Sequence, residues 1–154
     1  MSEQKYSDSP EIFSNESGYL GFLLRKSSHI FRIKMEKALD PYGITPPQFT
    51  ILKIISIFPG FTNAEISRFA ALTPQTVNLM VNKLEQSQMV IKKSHPENKK
   101  IQLIEITSEG EILLKTCGEK IHALEQTLVQ DFSEQELSTI RKWFTVILSD
   151  EFKT

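Results

Sequence analysis

The fold is decided by residues 62–86, which read TNAEISRFAALTPQTVNLMVNKLEQ. Thr62 followed by Glu65 has the spacing of a capping box, a pattern that begins a helix. Thr73 before Pro74 indicates a second helix start, because a capping side chain and a proline at the first helical position favour the same boundary. Two short helices about four residues apart are typical of a helix-turn-helix.

A polar hairpin is predicted directly after the second helix. Residues 89–91 and 101–106 are rich in apolar and β-branched side chains and predict two strands. The segment 94–100 between them is polar, contains Pro96 and carries two lysines. Helix, short turn, helix and basic hairpin together predict a winged helix-turn-helix, which we assign to residues 45–106.

Long helices are predicted on both sides of this unit. One occupies the segment 15–40, and two more lie within 107–152, the last one beginning at a capping box of Ser133 and Glu136. Their apolar residues recur at three- and four-residue steps, a pattern suited to a partner helix. We therefore expect dimerisation helices whose C-terminal seams need a partner to bury them, preceded by a loose N-terminal arm at 1–14.

The composition agrees with a single folded domain. The 154 residues carry a net charge of −1, with 40% hydrophobic and 24% charged residues, which argues against a disordered chain. No apolar run is long enough to cross a bilayer, and the one cysteine, Cys117, cannot form an intrachain disulfide. We expect one domain over residues 1–154, mainly α with a small β-hairpin wing, located in the cytoplasm and away from membranes.

The charge is unevenly distributed along the chain. Residues 62–101 contain six Lys or Arg and three acidic residues, a local charge of +3. Residues 105–154 contain five basic and ten acidic residues, a local charge of −5. A basic middle on an acidic scaffold is typical of a DNA-facing module, although a chance fluctuation of solvated charges would give the same totals.

Four motifs together resemble the MarR family of bacterial transcription regulators. In order along residues 19–148 they are ITPPQF (44–49), PQTVNLMVNKLE (74–85), PENKK (96–100) and IEITSEG (104–110). The resemblance implies a homodimer, built from the N- and C-terminal helices, that presents two winged helices to a pseudo-palindromic operator in double-stranded DNA. Asn98 and Lys99 stand where the family usually has an Asp-Arg pair, and Asn82 stands where an acid is common, so the preferred base sequence is not carried over.

Candidate DNA contacts lie on the second short helix, on the hairpin and at the start of the first short helix. Gln75 and Asn78 offer the donor–acceptor pair that recognises adenine, and Leu79 offers an apolar contact to a thymine methyl. Lysines would neutralise phosphates, and the start of a helix can donate to them, although Thr62 serves first as a cap. Solvated polar surfaces are the alternative. The predicted set is Thr62, Asn63, Ser67, Gln75, Thr76, Asn78, Leu79, Lys83, Lys92, Lys93, Lys99 and Lys100.

A candidate effector site lies on the first long helix. Members of the resembled family commonly bind small aromatic acids between the dimerisation helices and the winged helix. Arg25, His29 and Arg32 share one helix face, where a carboxylate could bind beside aromatic rings. Plain surface charges and an interface histidine are the alternative, and no cofactor is expected. The predicted set is Phe22, Arg25, Ser28, His29, Arg32, Tyr42 and Phe49.

These features predict a homodimeric repressor that a hydroxycinnamate- or salicylate-like acid releases from DNA. Within the resembled family, our interpretation is a hydroxycinnamate-type (HcaR-like) regulator. One alternative is a redox-responsive regulator acting through Cys117, whose apolar setting also suits a buried hydrophobe. Another is a winged helix that contacts proteins only. An enzyme is not predicted, because the three histidines lack metal-ligand spacing and no phosphate loop or nucleophile elbow is present.

Overall fold

A computed structural model describes residues 10–149 of the chain. In order, the elements are a 3-10 turn (Pro10–Phe13), α1 (Leu20–Leu39), a second 3-10 turn (Asp40–Tyr42), α2 (Pro46–Ile57), α3 (Asn63–Ala70), α4 (Pro74–Gln86), β1 (Val90–Ser94), β2 (Gln102–Ile106), α5 (Ser108–Val129) and α6 (Glu134–Leu148). The predicted fold class, mainly α with a small β-hairpin wing, is confirmed. Within residues 10–149, no helix combines the length and the apolarity needed to cross a membrane.

The core is centred on α2, which packs against α3, α4, α5 and β2. Ile51, Leu52 and Ile55 on α2 are fully buried, and Val77 and Val81 cover them from α4. Full burial of such a side chain contributes about 1.5–3 kcal/mol. This packing fixes the orientation of α4 and turns its opposite face outward.

Side-chain caps fix the helix starts, as predicted from the sequence. At the start of α3 the Glu65 N–H donates to the Thr62 hydroxyl oxygen at 3.3 Å, and the Thr62 N–H donates to the Glu65 carboxylate at 2.8 Å. The backbone hydrogen bond from Thr62 holds the pKa of Glu65 below its usual value. α6 begins with the same reciprocal arrangement, so both capping boxes predicted from the sequence are confirmed, and α2 begins with a third one formed by Thr45 and Gln48.

The first long helix begins later than the predicted segment 15–40. The chain turns tightly before it: the Gly18 N–H donates to the Ser14 carbonyl at 3.1 Å, and a β-carbon on Gly18 would lie 2.3 Å from that oxygen. α1 therefore begins at Leu20, and residues 10–13 of the predicted loose arm form a 3-10 turn. Residues 1–9 of that arm lie outside the described residues.

The hairpin differs from its prediction in length. β1 begins at Val90 and continues to Ser94, beyond the predicted strand 89–91, and it pairs antiparallel with β2. Lys92 and Lys93, which the prediction placed in neither the strand 89–91 nor the polar tip 94–100, lie within the strand. An isolated antiparallel β-bridge joins Phe61 to Ile104 on β2. This bridge connects the hairpin to the segment that precedes α3.

The C-terminal helices use their apolar seams differently. Leu114, Cys117 and Ile121 on α5 are buried within the chain, because α1 and α2 pack against them. The expectation that this part of the seam needs a partner is therefore wrong. On α6, by contrast, no residue is buried, and Phe144 keeps 39% of its surface exposed. An apolar stripe on α6 is left uncovered by the described part of the chain.

Candidate nucleic-acid interface

α4 presents a polar face on the side opposite the core. Gln75 and Asn78 are exposed, and Leu79 keeps 51% of its surface accessible. Val77 and Val81 on the inner side are fully buried. An exposed leucine beside two exposed amide side chains is the arrangement expected of a recognition helix, whose outer face meets base edges in the major groove.

A tight turn between α3 and α4 sets the angle of the recognition helix. Ala71 ends α3 in the left-handed conformation, with φ 52° and ψ 40°, which costs a residue with a β-carbon about 1 kcal/mol. α4 then begins at the cap Thr73, whose hydroxyl oxygen accepts the Thr76 N–H at 3.2 Å. The two threonine hydroxyls lie 2.8 Å apart, so the predicted DNA contact Thr76 already has a partner at the cap.

Asn63 joins α3 to the recognition helix. Its Nδ2 donates to Oδ1 of Asn78 at 3.2 Å. The Oδ1 of Asn63 is buried and has no hydrogen-bond partner among the described residues. Asn78 is thereby held by α3, while its own amide N–H groups remain available to donate outward.

The contacts of Ser67 do not fit the predicted phosphate contact. Ser67 is only 5% exposed, and its hydroxyl donates to the main-chain carbonyl of Asn63 at 2.7 Å. The residue lies on the inner side of α3, a helical position that the sequence argument did not consider. Thr62 is engaged as the helix cap, where its hydroxyl also donates to the Glu65 carboxylate at 2.9 Å.

The two lysines on β1 have partners within the protein. The Lys92 ammonium donates to Oδ1 of Asn82 at 2.6 Å and lies 2.7 Å from a carboxylate oxygen of Glu85. Lys93 pairs with Glu105 on the neighbouring strand at 2.5 Å. These partners reduce the charge that either lysine can offer to a phosphate.

Three other lysines have no such partner. Lys83 on α4 and Lys99 and Lys100 at the wing tip are exposed and form no ion pair within residues 10–149. Asn98 shapes the tip, because its side-chain oxygen accepts the Lys100 N–H at 3.1 Å. The wing tip therefore carries two free cations on a defined turn.

Arg68 is a candidate that the sequence analysis did not select. It is exposed in the last turn of α3 and, with His95, lines a groove between α3 and the hairpin. Its place in the basic segment 62–101 was the signal that could have identified it. The free cations near α4 thus come from three elements: α3, α4 and the wing.

The predicted effector residues do not converge on one site. The Arg25 guanidinium lies 5.4 Å from the centre of the Phe22 ring, and Phe22 packs edge-on against Phe13 with ring centres 4.9 Å apart. Phe49 is only 8% exposed within the core, and Tyr42 packs against the same core. Phe49 and Tyr42 are therefore used in packing within the chain.

Two of the seven residues, Ser28 and Arg32, line a cavity of about 290 Å³ between α1, the start of α2 and the end of α3. Arg32 pairs with Glu36 and contacts Nδ1 of His29 at 3.3 Å, so the histidine reaches the cavity only through the arginine. The cavity has a cationic edge and a mainly apolar wall. Its remaining lining residues are Phe31, Met35, Pro46, Pro47, Thr50, Ala70 and Leu72.

Cys117 has the environment of a core residue. Its side chain is fully buried on α5, and this burial raises the pKa of the thiol. Because the thiolate is the reactive form, a raised pKa lowers reactivity toward oxidants. The contacts of Cys117 give no support to the redox-responsive alternative.

The outward face of α4 beside a wing with free cations is the arrangement found in winged helix-turn-helix proteins that bind DNA. The family model for the MarR family matches residues 44–102 of the chain. The HTH-type transcriptional repressor Rv2887 of Mycobacterium tuberculosis is 27% identical over 131 residues, which cover 85% of this chain and 94% of the relative. The chain is thus similar to MarR-family transcriptional regulators: the family model matches its winged-helix segment, and a curated repressor is similar to it over most of its length.

Solved structures have the same architecture. The complex of Rv2887 from Mycobacterium tuberculosis with p-aminosalicylic acid gives a TM-score of 0.66 at 26% identity, covering 86% of this chain and 100% of that chain. The MepR–DNA complex of S. aureus gives a TM-score of 0.79 at 24% identity, covering 84% and 96%. The second comparison supports the winged-helix fold alone.

Proposed function

We propose that the chain is a homodimeric transcriptional repressor that binds a pseudo-palindromic operator and leaves it when a small aromatic carboxylate binds. The observation that carries the proposal is the outward face of α4, where Leu79 is half exposed beside two exposed amide side chains. A helix that only supported the core would gain nothing from an exposed leucine at this position. The same face lies beside the basic wing, as a DNA reader requires.

The DNA contacts divide into base readout and phosphate neutralisation. Gln75, Asn78 and Leu79 enter the major groove, where the amides bond base edges and the leucine meets a thymine methyl. The free cations lie on either side of this face and neutralise phosphates. They are Arg68, Lys83, Lys99 and Lys100.

A second copy of the chain covers the apolar stripe of α6. Ile140 and Phe144 are exposed there, and Leu128 near the end of α5 keeps 46% of its surface accessible. A twofold dimer presents two recognition helices to half-sites about 34–36 Å apart, one turn of the double helix. The twofold symmetry of the protein is the physical reason for a pseudo-palindromic operator.

The effector is proposed to bind in the cavity lined by Ser28 and Arg32. A carboxylate would replace Glu36 as the partner of the Arg32 guanidinium, while the ring packs against Phe31 and Pro46. The complex of the relative Rv2887 with p-aminosalicylic acid supports this class of ligand.

The cavity joins the dimerisation helix α1 to the end of α3, so a ligand there can favour one spacing of the recognition helices. A ligand changes DNA affinity only by its preference between two conformations. A tenfold release requires about 1.4 kcal/mol of such preference.

Fluorescence anisotropy on a labelled duplex from upstream of the protein's own gene tests the proposal. The titration is repeated at several salt concentrations, with and without salicylate and p-coumarate. We expect binding that weakens steeply with salt and is released by an aromatic acid. Binding that no acid releases would remove the effector part of the proposal, and absence of binding at low salt would remove the DNA part.

A further inference from the structure

We infer that Lys92 is a positioning residue that locks the recognition helix to the wing, rather than a phosphate contact. The inference rests on the proposed DNA-binding function and deepens it, because it states how the two DNA-contacting elements are kept in one orientation. It also removes one of the five lysines that the sequence assigns to phosphates.

The contacts of the Lys92 side chain span two elements. Lys92 belongs to β1, but its side chain extends to α4. There its ammonium donates to Asn82 Oδ1 at 2.6 Å and lies 2.7 Å from Glu85 Oε2. The side chain is only 21% exposed. The Lys92 ammonium therefore contacts two acceptors that lie one helical turn apart on the recognition helix. Most of the Lys92 side chain is shielded from solvent.

Lys93, the next residue, offers an internal comparison. Its ammonium pairs with Glu105 on β2 and its side chain is 54% exposed. This ion pair lies within the hairpin and makes no link to α4. Neighbouring lysines of the same strand thus have different roles: Lys92 joins two elements, and Lys93 joins two strands of one element.

A phosphate contact by Lys92 would be unfavourable. Its ammonium would have to leave both acceptors, and the Glu85 carboxylate would then stand close to the phosphate without its cation. Because like charges repel and a lost partner leaves a polar group unsatisfied, the bridge is the favoured state. The free lysines at the wing tip meet no such obstacle.

The bridge contributes to DNA recognition by preorganisation. α4 reads the major groove while the wing lies against the flanking backbone, so both must be held at one mutual angle before binding. Without the bridge, α4 and the wing would reach this mutual angle only on binding, and the entropy lost in ordering them would reduce the affinity for DNA. The loss falls on the specific complex, because non-specific binding depends on charge and not on a matched angle.

Substitution of Glu85, the carboxylate partner, tests the inference, because simple electrostatics and the bridge predict opposite changes in DNA affinity. Glu85→Gln removes a negative charge near DNA, so simple electrostatics predicts tighter binding. If Glu85 anchors the lock, the same substitution raises the Kd for the specific duplex by about fivefold, the factor expected from a partly exposed ion pair. Tighter specific binding by Glu85→Gln would overturn the inference.

Anisotropy titrations use a labelled duplex enriched from a random library by the wild-type protein, and a scrambled duplex of equal composition. We expect Lys92→Gln to raise the specific Kd by about fivefold with the logarithmic salt slope unchanged, and Lys92→Arg to restore the wild-type value. Lys93→Gln is the matched control and leaves the ratio of the two affinities unchanged. A salt slope reduced by about 0.9 in Lys92→Gln would identify a phosphate contact and overturn the inference.

Hydrogen exchange without DNA separates this inference from the proposed function. Lys92→Gln and Glu85→Gln should each speed amide exchange in β1, and Lys93→Gln should do so less. Unchanged exchange in the first two variants would overturn the lock even if the protein binds DNA. If the wild type binds neither duplex, the DNA function fails, and the exchange result alone still decides whether Lys92 joins the two elements.

Discussion

At the scale of single residues, packing explains why a glycine stands at position 110, the last residue of the motif 104–110. Thr107 caps α5 by accepting the Gly110 N–H at 3.1 Å, and its hydroxyl donates to the Gln88 carbonyl at 2.7 Å. A β-carbon on Gly110 would lie 2.2 Å from the Met89 carbonyl oxygen and 2.7 Å from Cγ1 of Ile106. The start of α5 therefore lies directly against the hairpin, and only glycine fits there.

Gly110→Ala is expected to lower the free energy of unfolding by about 2 kcal/mol, because backbone rather than a flexible side chain must give way. Urea unfolding followed by circular dichroism measures the change. The control is Gly118→Ala on the same helix, where nothing lies within 4 Å of the added carbon. Replacing a helical glycine there should stabilise by about 0.5–1 kcal/mol. Equal stability of the two variants would contradict the packing argument.

Ala71 carries the backbone strain of the helix-turn-helix. Its φ of 52° is easily adopted by glycine, so Ala71→Gly should raise the free energy of unfolding by about 0.5 kcal/mol, the strain relieved less the added freedom of the unfolded chain. Ala70→Gly, one residue earlier in α3, should instead destabilise by about 1 kcal/mol. Thermal and urea unfolding measure both changes, and a destabilised Ala71→Gly variant would contradict the account.

At the scale of elements, α6 contrasts with α5. The seam of α5 is largely covered by α1 and α2, whereas α6 has no buried residue and keeps its apolar stripe accessible. A stripe that is apolar and uncovered favours an interface. The helix therefore belongs to the proposed dimer rather than to the core of one chain.

Phe144→Asp is expected to shift the protein from dimer to monomer, because a carboxylate would be buried without a partner in the interface. Sedimentation equilibrium measures the dissociation constant, which should rise at least tenfold. Thr145→Asp adds the same charge to the neighbouring exposed position and should leave the dimer intact. A wild-type chain that sediments as a monomer would refute the dimer itself.

The wing is the second element with a separate prediction. Lys99 has no ion-pair partner within residues 10–149, so Lys99→Gln should lower the slope of log affinity against log salt by about 0.9, the effect of one lost phosphate contact. Anisotropy across a salt series measures the slope. Lys93→Gln is the control, because Lys93 is already paired with Glu105. Equal slopes for Lys99→Gln and the wild type would exclude a phosphate contact by Lys99.

At the scale of the whole molecule, the cavity beside Arg32 links the dimerisation helices to the DNA-binding unit. Its walls come from α1, from the start of α2 and from the end of α3, which precedes the recognition helix. In the proposed dimer, a ligand that prefers one arrangement of these walls would change the spacing of the two recognition helices. In the proposed mechanism, this cavity is the place where an effector alters DNA affinity without touching DNA.

Arg32→Gln is expected to reduce release by an aromatic acid while leaving DNA affinity in the absence of acid within about twofold, because only the carboxylate partner is lost. The half-maximal acid concentration in the anisotropy assay should rise at least tenfold. Arg25→Gln is the matched control, since Arg25 lies on the same helix over the Phe22 ring and does not line the cavity. An equal loss in both variants would locate the acid elsewhere.

Local signals in the sequence predicted most of the fold, and distant contacts account for what was missed. Capping boxes such as Thr62 with Glu65 depend on residues three apart, so the helix starts could be derived directly. The partners of Lys92 lie on another element, and no local pattern reveals such a bridge. The burial of Ser67 and Phe49 could not be read from local spacing, because it depends on which face of a helix meets the core.

The most direct test of the central claim is the affinity of Gln75→Ala for the specific and the scrambled duplex. If the outward face of α4 reads bases, the substitution should cost about 1–3 kcal/mol on the specific duplex and almost nothing on the scrambled one. The two affinities are measured by anisotropy at one salt concentration, with thermal unfolding confirming that the variant folds. An equal loss on both duplexes, or no loss on either, would contradict the assignment of α4 as the recognition helix.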